Sequence, residues 1–121
     1  MAGYVDLYIL PIPKKNIPAY CRMARKFGKI IHEHGALEYR EFRGDHLQVK
    51  GMGVSLPSKV KLRPGEVMTF AVVGFRSRAH RDRVNKRAMS DPRMKQMMGC
   101  ESLFDAKRMI YGGFSTMVKG W

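Results

Sequence analysis

His80 has the widest chemical reach of any polar residue in this sequence, because a helical stripe aims it inward. At about 100° per residue, Ser77, His80, Val84, Ala88 and Asp91 fall on one side of a helix. Val84 and Ala88 make that side apolar, so the imidazole is expected to face a sheet. An inward imidazole can serve as a general base near neutral pH or orient a ligand. Asp6 is its expected catalytic partner, set mid-strand with Tyr4 and Tyr8 on the same face. A carboxylate there is unfavourable unless paired or wet, so an arginine such as Arg108, or a pocket opening, should lie beside it. Tyr8, Tyr39, Asn85 and Tyr111 are the expected ligand-binding neighbours, with groups suited to a carbonyl or phenolic substrate. The plainer account makes His80 a core histidine satisfied by a hydroxyl or carbonyl, and Asp6 a structural ion pair.

Other constellations offer less. His32 and His34 stand two residues apart at a helix end, where they point about 200° apart and cannot share a metal. His34 continues the apolar stripe from Ile31 and is expected near Tyr39 at the helix end. His46 completes no ligand set, so no metal is predicted, and no cofactor. Cys21 lies within an apolar helical stripe and is expected to be a buried, inert thiol, while Cys100 falls in a loop. Gly51 and Gly53 fit no phosphate loop, and neither do Gly112 and Gly113, which suit a bulge or a close backbone approach. The ten methionines fit an adaptable core or pocket.

Charge raises a different possibility. The chain has 121 residues, with 23 Lys and Arg against 10 Asp and Glu, a net +13. Arg78, Arg81, Arg83, Lys86 and Arg87 crowd one helix, so nonspecific association with nucleic acid or other polyanions at low salt is expected. No aromatic residues interleave with them, and the stacking platform of single-strand binders is missing. A solvated charged face explains the cluster as well.

These groups need elements to hold them. Tyr4 to Leu10 alternates as a strand, which Pro11 and Pro13 are expected to end. Ile17, Tyr20, Ala24, Phe27 and Ile31 recur at helical spacing up to a stop at Gly35. Leu37 to Arg43 reads as a half-exposed or edge strand. Residues 44–66 form a long excursion with at most a short hairpin arm, since glycine and proline interrupt them repeatedly. Val67 to Phe75 is apolar on both faces and requires cover on both. Ser77 caps a helix over Arg78 to Met89, Pro92 starts a further turn, and Arg108 to Val118 makes the last strand. This β-α-β, loop, β-α-β order is the ferredoxin-like arrangement: an α+β domain over residues 1–121, with two helices on one face of an antiparallel sheet. The other sheet face then calls for a second copy of the chain, making a homodimer. The longest apolar runs are too short to span a membrane, and a cytoplasmic location is expected.

Four stretches, YVDLYILPIPK, EHGALEY, FRSRAHRDRVNKRAMSDPRM and FDAKRMIYGGF, resemble the YbaA-like family of bacterial proteins of unknown function. The resemblance spans nearly the whole chain. It implies the dimeric α+β barrel superfamily, whose relatives include cofactor-independent monooxygenases and other small-molecule enzymes, but it assigns no reaction. The segment HLQVKGMGVSLPSKVKLRPG departs from the family in being richer in lysine and glycine. Three functions stay open: a small-molecule-binding dimer of oxygenase or isomerase type, a structural or partner-binding subunit, and a polyanion binder.

Overall fold

A computed structural model of the chain describes residues 2–48, 50–51, 53–98 and 103–120. Strands β1 (Tyr4–Pro13), β2 (Glu38–Arg43), β3 (Glu66–Phe75) and β4 (Ile110–Ser115) form one antiparallel sheet in the order β2-β3-β1-β4. Helices α1 (Ile17–Glu33), α2 (Leu56–Val60), α3 (Arg78–Met89) and α4 (Pro92–Met98) complete an α+β architecture. Among the described residues, no helix is long and apolar enough to cross a membrane.

Strand alternation sorts the sheet into two faces. Tyr4, Asp6, Tyr8 and Leu10 of β1 stand beside Phe75, Val73, Ala71 and Thr69 of β3 on one of them. Ile30 and Ile31 of α1 and Val84 and Ala88 of α3 join Tyr4, Val73 and Phe75 in a common core. The opposite face presents Val5, Leu7, Ile9, Phe70 and Val72, extended by Ile110 and Phe114 of β4. Phe70, Ile110 and Phe114 remain exposed there, and Phe42 of β2 stacks on Phe70 with ring centroids 4.6 Å apart. Helices α1 and α3 therefore cover one face, while on the other Pro11 and Met68 are buried and Phe70, Ile110 and Phe114 are left open.

The ends of the elements follow local chemistry. Gly35, at φ 115°, closes α1: its N–H donates to His32 O at 3.0 Å and Ala36 N–H donates to Ile31 O at 3.0 Å. Ser77 Oγ accepts the His80 N–H at 3.1 Å and caps α3.

Three expectations are corrected. Pro11 and Pro13 do not end β1, which pairs with β3 as far as Pro13. Lys14 N–H donates to Gly65 O, so even-numbered residues of β1 turn their N–H toward β3. The prolines, at odd positions, aim their nitrogens at the other edge, beyond the last β4 pair at Ile9 and Ile110, and no ladder bond is lost. The excursion contains the short helix α2 rather than a hairpin; Ser55 precedes it in extended conformation and Val60 is buried. The last strand is shorter than expected because Ala106–Arg108 forms a 3-10 turn whose N-terminal Asp105 accepts the Lys107 N–H.

Candidate functional site

Between the sheet and the helices lies a cavity of about 470 Å³. Methionines dominate its roof: Met23 from α1, Met89 from α3, Met94 and Met97 from α4, and Met109 ahead of β4. Phe27, Leu103 and Phe104 close it further, and the sheet supplies Tyr8, Leu10, Tyr39, Glu41, Thr69 and Ala71. Flexible thioether side chains fill irregular space and re-pack around varied shapes, which suits a pocket more than a rigid core.

Among the described residues, Glu41 is the single carboxyl on these walls. It pairs with Ala71 across β2 and β3, and this register turns it toward the helices. Tyr20 of α1 donates its hydroxyl to both carboxyl oxygens at 2.9 Å. The Tyr39 hydroxyl donates to Oε2 as well. Among the described residues, no cation lies within ion-pair distance of Glu41. Burial raises its pKa above the ordinary glutamate value, and the two phenols only partly offset this. Tyr20 and Tyr39 are themselves pushed upward, first by burial and then by the charge of Glu41. A carboxyl so placed can accept a proton from a ligand and return it.

Gly28 makes this arrangement possible. A Cβ at this position in α1 would come within 2.6 Å of Tyr39 Cδ2, so the helix admits the tyrosine ring only because the side chain is absent. The ring then packs edge-on against Phe27, with centroids 5.1 Å apart.

A second polar cluster occupies the β1–α3 side. Asp6 is 1% exposed and pairs with Arg81 Nη1 at 2.8 Å. Asn85 and Tyr8 also hydrogen-bond to Asp6. The Arg81 guanidinium reaches Asp82 at 2.7 Å and lies 5.1 Å from the centre of the Tyr4 ring. Burial pushes the Asp6 carboxyl up and Arg81 pulls it part of the way back. Tyr8, pushed up to about 12 by burial and then by Asp6, stacks on exposed Tyr111 at 5.5 Å. Gly113 completes the cluster, since a Cβ there would strike the Tyr4 hydroxyl at 2.0 Å. The close approach expected at the paired glycines is thus real, and the strand register runs through them without a bulge.

Of the six residues singled out from sequence, Asp6, Tyr8, Asn85 and Tyr111 gather in this cluster. Tyr39 sits with Glu41 instead. His80 does point inward, but it is not among the residues on the cavity wall. Its Nδ1 accepts the Arg76 N–H at 2.9 Å, its ring meets Phe75 edge-on, and the other ring nitrogen lies against Gly35. Burial and then the charge of Arg76 lower its pKa. Such an imidazole fastens the start of α3 to the end of α1.

The arginine expected beside Asp6 is Arg81, not Arg108; Arg108 bonds Glu66 at 2.6 Å. Sequence reasoning passed over Glu41 and Tyr20. The signal was available: Tyr39 and Glu41 share strand parity, and Gly28 interrupts an otherwise apolar helical stripe at a contact point.

A second opening of about 570 Å³ lies outside α1, lined by Cys21, Arg25, Gly28, Lys29 and His32. It shares Ala24, Tyr39 and Glu41 with the cavity. Cys21 is exposed here, which corrects the expectation of a buried thiol. The buried stripe runs through Tyr20, Ala24 and Ile31, and Cys21 sits about 100° off its centre. Cys100 lies outside the described residues. His34 bonds Asp91 at 2.8 Å rather than lining a pocket, and Arg93 and His34 together hold the Asp91 carboxyl well below the usual range. Several arginines of the basic segment are engaged within the chain: Arg81 with Asp6, Arg87 with His34 O at 2.7 Å, and Arg93 with Glu33 at 2.6 Å.

Residues 3–106 match the family described as "Protein of unknown function (DUF1428)". The "Uncharacterized protein YbaA" of Escherichia coli K12 is 36% identical over 115 residues, covering 95% of this chain and 97% of the relative. The Shigella flexneri protein of the same description matches equally. A solved structure, "De novo designed protein Foldit4", aligns over 96% of this chain and 98% of its own, at 9% identity and a TM-score of 0.44, too low for a shared fold to be inferred.

Proposed function

The chain belongs to the DUF1428 family of proteins of unknown function, and on that premise we propose that it binds a small molecule in the methionine-lined cavity and moves a proton with Glu41. One observation carries this reading: a half-buried carboxyl, held by two phenols and, among the described residues, by no cation, opens onto an apolar cavity. Folding gains little from such a group, and chemistry gains a carboxyl that holds its proton more readily than an ordinary glutamate. In an isomerase-like cycle, the Glu41 carboxylate takes a proton from an acidic C–H or O–H of the ligand. The resulting acid returns it to another atom of the same ligand. Tyr20 and Tyr39 hold the carboxyl in place, and Tyr8 faces the bound molecule from the sheet.

The experiment combines a thermal-shift screen of small enolisable ketones and phenols with deuterium exchange at the acidic position of any ligand found. Binding should raise the midpoint in the native protein and not in Ala71→Leu, which fills the cavity from β3. Exchange should fall about a hundredfold in Glu41→Gln, the lower range for loss of a general base. Ligands that bind Ala71→Leu as before, or exchange that ignores Glu41→Gln, would overturn the reading.

The strand order and the packing of α1 and α3 on one sheet face support placing this site in a ferredoxin-like domain over residues 1–121, paired as a dimeric α+β barrel. The second copy would lie on the open sheet face, where Val5, Leu7, Ile9, Phe70, Ile110 and Phe114 make a continuous apolar surface. Glu38 and Arg40 share that face on the edge strand, one acid and one base that a two-fold axis can bring together. Sedimentation at micromolar concentration should give twice the chain mass, and Phe70→Glu should give a monomer. A native protein that sediments as a monomer and stays soluble would dispose of the dimer.

A further inference from the structure

We propose that the ligand of this site is an amphiphilic monocarboxylate: its apolar body occupies the methionine-lined cavity and its anionic head sits in the outer groove against Arg25 and Lys29. The inference rests on the cavity being a ligand site and adds the class of molecule that fits it.

Two spaces of opposite character meet at one wall. Among the described residues, the cavity is lined by no lysine or arginine and by one carboxyl. The groove holds Arg25, Lys29 and His32. Ala24, Tyr39 and Glu41 belong to both, so a ligand that passes this wall touches both environments. The cations are spaced to act together. Cys21, Arg25 and Lys29 recur every fourth residue and His32 follows three later, which stacks all four along one side of α1.

Like most cations among the described residues, these two lie outside any ion pair, and it is their place beside the shared wall that sets them apart. Arg81, Arg93 and Arg108 each pair with an acid, whereas among the described residues Arg25 and Lys29 make no ion pair. The acid nearest Lys29 along the helix is Glu33, already bound by Arg93 at 2.6 Å. A guanidinium presents a planar fork that matches a carboxylate, and an ammonium beside it adds charge without demanding geometry. Methionine walls accommodate an alkyl or aryl body of variable shape. An anion held only by the net +13 of the surface would not need an apolar body; one held here would.

Calorimetric titration with decanoate and with 1-decanol separates head from body. Native protein should bind decanoate about tenfold more tightly than the alcohol, as charge-assisted bonds at a partly exposed site allow. The double variant Arg25→Gln/Lys29→Gln should bring the two ligands within about threefold by weakening decanoate alone. Arg83→Gln/Lys86→Gln, which removes the same charge from α3, should leave the preference intact. An equal loss in both double variants would overturn the proposal in favour of diffuse attraction. Decanol that binds, is blocked by Ala71→Leu and matches decanoate in affinity would overturn the head site and keep the cavity. Failure of both ligands to bind would overturn both.

Discussion

Asp6 and Glu41 are carboxyl groups on the same sheet face, one on a central strand and one on an edge, and their surroundings differ in kind. Asp6 has a guanidinium at 2.8 Å, an amide and a phenol, so its charge is answered inside the fold. Glu41 has two phenols and an adjoining cavity. Both are pushed upward by burial, yet only Asp6 has a cation pulling the other way. A carboxyl neutralised by its own chain is architecture. A carboxyl left for something else to answer is available for chemistry.

The largest effect should come from breaking the answered pair. Arg81→Met leaves the Asp6 charge buried and unpartnered, at a cost of about 3–5 kcal/mol. Denaturant midpoints will measure it, and adding Asp6→Asn should recover most of the loss. A cost below about 1 kcal/mol would mean that Asp6 is no more structural than Glu41, and the contrast would collapse.

A smaller change of opposite sign is expected at the other carboxyl. Glu41→Gln keeps the shape and removes the charge, with one phenol turning to accept from the new amide. Stability at pH 7 should rise by about 1 kcal/mol. The difference should depend on pH with a definite sign. A folded-state pKa above the unfolded one means that native Glu41 gains stability as pH falls through the folded value. The advantage of the glutamine variant is therefore greatest at neutral pH and shrinks toward the ordinary glutamate pKa of about 4.3. Glu33, Glu66 and Asp91 are shifted downward by their arginines, so their contributions are lost only as pH falls further, equally in both proteins. Parallel melting curves from pH 7 to 4.5 with a constant gap would remove the special status of Glu41.

Much of this scaffold can be read from the sequence, and the reasons are local. Alternation in Tyr4 to Leu10, the two-sided run Val67 to Phe75, the cap at Ser77 and the stop at Gly35 each depend on a few neighbouring residues. What escaped depends on distant ones. Whether Pro11 and Pro13 end a strand is decided by where β4 stops, about a hundred residues later. The partner of Asp6 is chosen by how α3 lies on the sheet, which spacing cannot distinguish from an arginine before β4. The inward turn of His80 is visible in its helical stripe. Its confinement by Arg76 N–H and Gly35 is not, because backbone groups have no letter in a sequence. The half-exposed edge strand was read correctly, but Glu41 went unnoticed because its polar letter does not say which of the two faces it takes.

The two prolines late in β1 have a bearing on assembly. Past Ile9, among the described residues, this strand has no paired strand on one side, and an unpaired strand edge is a template for another chain. Pro11 and Pro13 remove the amide donors that such docking needs. Sheet extension from one molecule into the next is discouraged along this stretch, and with it the open-ended growth that leads to fibres. Contact between flat apolar faces, by contrast, is satisfied once a single partner has been found.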